Sequence, residues 1–494
     1  PQERAGNQWL GLSRVDWNVN AANQLSTTVN ILRWDSPNGI QTAPTHANHA
    51  TANGSDIVNN ETVIARWNWT ARPNIVSEFR FQWGRDFEAQ QPNAPGPNVR
   101  VTNGIFFGRP NFLPRPAYPD ERRWQISQNL SWLRGRHSFR FGYDVNWVKD
   151  EIINLFNGDG TYNYSTLNDL ALDCRNISLP LGTCQATPTT GAEGITGKHY
   201  SSFTQGFDTL GQGGASKFAN QDYALYFEDS FKPWSNLTLN MGLRYDVQTM
   251  PKADAPHPLL PGSQRVNTDK NNFGPRFGLS WDPFKRQRTV IRAGAGVYYG
   301  RTQNSTISSL LRESGQRIQA FSFLPATAGS LPFGQTFSGL PPGTAGRPNG
   351  FFAASDFSNP IIYQMEFGIE HELFRNFSLS GIYLGTRGQR MPLYRDVNLF
   401  PTREVATYTV CAVPQVGSST ACPQVERTVS VPFFPGPSSN RPLPALQAVT
   451  LAESVVNTWY NGVVIQAKHR FSRGFQMQAS FTVSKAHDND QIQQ

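Results

Sequence analysis

Apolar and polar residues alternate along this chain in paired blocks, and the clearest pair runs from Asp222 to Val247. In its second block Leu237, Leu239, Met241, Leu243, Tyr245 and Val247 alternate with Thr238, Asn240, Gly242, Arg244 and Asp246. Period two sends successive side chains to opposite faces of an extended strand, so one face is apolar and the other polar. In the first block Tyr223, Leu225, Phe227 and Phe231 oppose Asp222, Ala224, Tyr226, Glu228 and Ser230. Asp229 interrupts the apolar face close to the turn.

The same reading predicts seven hairpins. Besides the one above, they pair Trp9 to Val19 with Leu25 to Asp35, Glu61 to Ala71 with Ile75 to Phe87, and Arg122 to Leu133 with His137 to Asp150. The last three pair Asn272 to Asp282 with Thr289 to Gly300, Ile361 to Leu373 with Phe377 to Thr386, and Thr458 to Phe471 with Phe475 to Lys485. Short turns such as Arg72-Pro73-Asn74 and Arg134-Gly135-Arg136 close the hairpins, and long Pro- and Asn-rich loops join them. A strand of about thirteen residues, at about 3.3 Å per residue and a tilt near 40°, rises about 33 Å, enough for an apolar band of about 25 Å. Short turns on one rim and long loops on the other mark an all-β, antiparallel transmembrane β-barrel of the outer membrane. Fourteen strands are expected, with the turns periplasmic and the loops extracellular.

Composition agrees. Mean hydropathy over the 494 residues is −0.46, and no stretch approaches the ~18 uncharged apolar residues of a spanning helix. Alternation hides a barrel from such averages. Eleven of the 12 Trp fall inside proposed strands, Trp234 alone lying in a turn; enrichment at both strand ends would match interfacial girdles. The net charge of +8 is scattered rather than gathered on one face, so no nucleic-acid partner is expected.

Little in the chain points to chemistry. Arg292 to Gly300 imitates a dinucleotide fingerprint, but its third glycine comes one residue late and no helical pattern follows. No nucleophile elbow, phosphate loop or zinc-protease motif occurs, so no enzyme activity, cofactor or metal is expected. His46 and His49 read as solvated loop residues. Cys174 with Cys184, and Cys411 with Cys422, form two local pairs inside long loops, which predicts intraloop disulfides in an oxidising compartment. On the polar face lie Asp222, Glu228, Arg244, Asp246, Arg276, Asp282, Arg292, Glu366, Glu370, Lys468 and Arg470. Two readings are open for them: pairing across strands in a wet lumen or against a plug, or lining a solute path.

The segments Tyr223 to Lys232 and Leu237 to Tyr245, together with Asn272 to Ser280, Tyr383-Leu-Gly-Thr-Arg-Gly388 and Phe481 to Asp488, carry a resemblance. They resemble strands and strand ends of TonB-dependent outer-membrane receptors, in particular the large Oar-like branch common in Acidobacteria. The resemblance implies a barrel of about 22 strands around an N-terminal plug. It also implies import driven by an inner-membrane complex that pulls on the plug, often with a carboxypeptidase-regulatory-like domain ahead of it. Within residues 1–494 neither plug, energy-coupling box nor regulatory domain is recognised, so the whole chain is expected to be a barrel segment. The expected function is part of a transporter for a large or scarce solute, with outer-membrane lipid, plug and energy-coupling complex as partners. A passive porin or a surface adhesin is the alternative.

Overall fold

The computed structural model describes residues 5–39, 47–102, 105–173, 176–177, 184–185, 197–253, 255–326, 329–341, 347–400, 404–411, 425–433, 441–472 and 474–489. All seven predicted hairpins form, and they join edge to edge in chain order into one antiparallel sheet. Its strands are Asn7–Asn20, Asn23–Ser36, Gly54–Arg72, Ile75–Pro92, Ala117–Arg134, His137–Ile153, Ala215–Trp234, Leu237–Gln248, Asn272–Trp281, Thr289–Tyr299, Ile361–Phe374, Phe377–Asp396, Val449–Ser472 and Phe475–Asp488. Gly350–Ala353 adds a short parallel strand against the upper part of Val449–Ser472. Among the described residues the first strand pairs only with the second and the last only with the one before it.

The turn-side ends match the alternation pattern closely, while several strands run further at the loop side than the pattern predicts. Gly54–Arg72 has 19 residues and Val449–Ser472 has 24, longer than an apolar band of about 25 Å requires. Their upper parts stand above the membrane, where nothing enforces apolar-out alternation.

One face of the sheet is apolar and bare. Leu225 is 61% exposed and Phe481 66%, values that fit lipid contact rather than water. Cross-strand register assembles aromatic rows at both levels. Trp83 faces Trp124, which faces Trp147, toward the loop side. Trp132 and Phe139 lie in contact near the turns, 5.5 Å between ring centres. Asp229, the interruption in the apolar pattern, accepts a hydrogen bond from His137 Nδ1 at 2.7 Å. The imidazole in turn stacks 4.4 Å from Phe231, so the carboxylate is covered where the sheet meets the interface. In the turns, Gly135 and Asn376 hold left-handed φ of 60° and 69°, which glycine and asparagine tolerate best.

The long loops form a second layer. Ile318–Phe323, Ser202–Asp208, Thr161–Tyr164, Asn98–Val101, Ile105–Gly108 and Ala47–Asn48 join, in that order, into a six-stranded sheet contributed by four different loops. Tyr162, Tyr164, Tyr200, Phe203, Phe321 and Phe323 are buried in its core. The ring centres of Tyr162 and Phe203 lie 4.4 Å apart. Burial and the neighbouring Asp173 push the Tyr164 phenol well above its ordinary pKa, so it stays a donor to Asp173 at 2.9 Å. Arg317 is fully buried against Asp208 at 3.4 Å.

The disulfide expectation is corrected. No disulfide occurs among the described residues. In the short loop ladders Cys184 faces Ile177 and Cys411 faces Val425, so the position across the strand from each is not a cysteine. Cys174 and Cys422 lie outside the described residues. His46 also lies outside them, while the Nδ1 of His49 is 3.0 Å from the Thr51 hydroxyl.

Candidate solute-facing site

Alternation that sends Tyr223, Leu225 and Phe227 to lipid sends Asp222, Tyr226 and Glu228 to the other face. That face is concave. Arg301 follows the strand Thr289–Tyr299, three strands along the sheet from Ala215–Trp234, yet it donates to the Asp222 carboxylate. In a flat sheet three steps of about 4.8 Å would separate the strands by about 14 Å, beyond an arginine's reach. Curvature brings them together.

Three cavities of about 340, 360 and 260 Å³ follow this wall. Asp222 accepts from Asn146 Nδ2 at 3.0 Å as well as from Arg301. Arg244 donates through Nε to Asp246 at 2.9 Å. Glu228 lies 3.7 Å from Arg140, and Gln125 donates to Asp144 at 2.7 Å. These pairs are partly solvated, so each contributes about 1 kcal/mol or less; they fix side-chain directions more than they hold the sheet. Tyr226 lies over Gly142, where a Cβ would come within 2.3 Å of its ring, and its hydroxyl donates to Asn129. Glycine is required there for the tyrosine to lie flat along the wall.

Arg276 differs from its neighbours. Its guanidinium sits over the Tyr298 ring at 4.5 Å and borders all three cavities. Among the described residues it has no ion-pair partner. Of the remaining polar-face candidates, Arg292 donates to Glu370 at 2.9 Å on strands further along the sheet. Glu366 lies across from Gly294. Asp282 leaves the wall and caps its turn through the Gln287 N–H at 2.7 Å. Arg123, Arg140, Asp144 and Arg301 complete the tract. The first three stand on the polar face of the third hairpin, where alternation alone marks them; Arg301 lies beyond a strand end, where no pattern does.

Over this wall lies helix Asn304–Arg312. Asn304 donates to Glu121 at 3.2 Å in the third hairpin, and Thr306 reaches the Tyr394 hydroxyl at 3.3 Å in the sixth. Ile307 and Leu311 pack on Phe218. Arg312 donates to the carbonyls of Asn154 and Gly214 at 2.9 and 3.1 Å. The helix thus bridges opposite parts of the mouth and joins the loop layer to the wall. A further cavity of about 750 Å³ lies beside it, bordered by Phe351, Tyr394, Ser309 and Glu313. Among the described residues no group of three or more His, Cys, Asp or Glu could hold a metal, and no helix is long and apolar enough to cross a membrane.

Comparison with known proteins agrees with this architecture. The outer membrane transporter YddB from Escherichia coli superposes with a TM-score of 0.56 at 12% identity, over 98% of this chain and 48% of that one. The ferripyoverdine receptor of Pseudomonas aeruginosa superposes with a TM-score of 0.52 at 11% identity, over 98% and 50%. In sequence, a 92-residue stretch is 29% identical to the uncharacterised protein YddB of Escherichia coli K12, covering 19% of this chain and 9% of that protein. The chain spans about half the length of these solved structures, and the likeness to them is one of fold. A family profile described as the outer membrane beta barrel domain matches residues 1–494, and the chain belongs to that family.

Proposed function

We propose that this chain is barrel wall of a TonB-dependent outer-membrane receptor that imports a large or scarce solute. The observation that carries the reading is the mouth: a polar concave wall lies beneath a loop layer with its own aromatic core. A passive pore works with an open mouth, whereas a packed layer over the lumen suits capture followed by gated release. On this reading Asp222, Glu228, Arg244, Asp246, Arg276, Arg292, Glu366 and Glu370 face either the plug or the passing solute. Arg276, held over Tyr298 without a carboxylate partner among the described residues, offers its charge to an acidic group from either. The plug and the inner-membrane energy-coupling complex are the implied partners. The Oar-like branch is favoured by the strand ends Tyr383 to Gly388 and Phe481 to Asp488.

Liposome swelling with the full-length gene product tests this. A gated receptor admits no small sugars until its plug is removed. Swelling at porin rates with the intact protein would show the reading to be wrong.

A further inference from the structure

Three tryptophans and three cations occupy adjacent rows on the lipid face. Trp83, Trp124 and Trp147 face one another across three strands, and two residues nearer the loops Arg85 faces Arg122, which faces Lys149. The cations stand ten to twelve residues above the short turns, about 25–30 Å at about 3.3 Å per residue and a tilt near 40°. That is the outer edge of the apolar band, with the indoles at headgroup level beneath them.

Like charges directly opposite in a ladder repel. Nearby carboxylates answer this only in part. Asp120 takes Arg85 through two bonds of 2.8 and 3.0 Å and touches Arg122 at 3.3 Å. Glu151 is taken by Lys217 at 2.8 Å. Glu61, directly across from Arg85 on the other side, is taken by Arg33. Lys149 is exposed and has no ion-pair partner among the described residues, so two positive charges remain in excess (Arg33, Arg85, Arg122, Lys149 and Lys217 against Glu61, Asp120 and Glu151).

We infer that this patch binds the phosphorylated headgroup of an outer-leaflet glycolipid, the phosphate lying between Arg122 and Lys149 and the acyl chains running down the apolar face below the indoles. Charge complementarity and height both select this occupant: a solute in the lumen cannot reach the outward face, and a phosphate at this level belongs to the leaflet. Each cation near a membrane surface contributes about a factor of five in affinity, so removing two weakens binding roughly thirtyfold.

The test titrates full-length protein in neutral detergent with bisphosphorylated lipid A, with a phosphate-free glycolipid of the same acyl chains, and with inorganic phosphate alone, reading bound lipid by native mass spectrometry. R122Q/K149Q is expected to lose roughly thirtyfold in lipid A affinity, R122K/K149R to retain it, and K285Q/R286Q in the turn at the opposite rim to leave it unchanged. Heat-modifiable migration establishes that each variant is folded. Parental affinity in R122Q/K149Q, loss in R122K/K149R, or a matching loss in K285Q/R286Q would overturn the proposal. So would equal affinity for the phosphate-free lipid, or for inorganic phosphate by itself.

Discussion

Arg317 joins two loops with no apolar contribution of its own, so its replacement measures how firmly the outer layer is closed. The side chain is fully buried, and Asp208 beside it nearly so. Its guanidinium donates to Asp208 at 3.4 Å, to Gln212 at 2.9 Å and to the Ala215 carbonyl. In R317M, Asp208 keeps the N–H groups of Leu210 and Gly214, at 3.0 and 2.8 Å, but loses its counter-charge. Breaking one side of a buried pair costs about 3–5 kcal/mol, and 4 kcal/mol corresponds to roughly a thousandfold in the opening equilibrium. Hydrogen exchange on the full-length protein in nanodiscs reads this directly. Amides of Ser202–Asp208 and Ile318–Phe323, which form one ladder, should exchange roughly a thousandfold faster, while those of Leu237–Gln248 stay as they were. D208N/R317M, which removes the stranded charge, should recover much of the loss. Unchanged exchange in the outer ladder of R317M would refute the idea that this pair holds the layer shut.

Four further outcomes are expected. Phe203 has no exposed surface, so F203A should destabilise the loop layer by about 3–5 kcal/mol, seen as faster proteolysis of intact cells at the loops. Substitution G142A drives a Cβ into the Tyr226 ring and to 2.6 Å from the Gln128 carbonyl; it should lower the urea midpoint of the heat-modifiable band by an amount equivalent to about 1–3 kcal/mol. Burial holds the His257 imidazole below its ordinary pKa, so its contribution is complete above about pH 6.5 and lost as pH falls through the depressed value. Exchange near Leu260 should therefore rise on acidification, and H257N, which keeps an acceptor for the Leu259 N–H, should flatten the response. Cysteines placed at Arg134 or Arg136 should react only from the periplasm and one at Asn38 from outside; equal labelling would invert or abolish the topology.

The membrane-spanning wall was legible because lipid on one side and water on the other impose period two, and every hairpin follows it. Leu237–Gln248 differs from the alternating block by one residue at its end. The same alternation picks out Asp222, Glu228, Arg244 and Arg276, which border the cavities along the sheet. The loop layer was not legible. Val99, Tyr162, Phe203, Phe321 and Phe333 are buried together but lie in three different loops among Pro, Asn and Gly, so no local period announces a core. Arg301 escaped because its role depends on curvature, and curvature is a property of the whole sheet. The cysteines misled because sequence proximity says nothing about which residues face each other across a ladder.

The six-stranded outer sheet also bears on how this surface can change. Surface loops usually diverge freely, since each stands alone and packs against little else. Here four loops share one sheet and three of them its core, so a change in Phe203 or Tyr162 must be matched in segments more than a hundred residues away, such as Phe323 or Phe333. The hairpin of Val405–Cys411 and Val425–Pro432 forms a sheet of its own and carries no such obligation. Sequence change should accumulate in that hairpin, while the shared core drifts only by coordinated exchange.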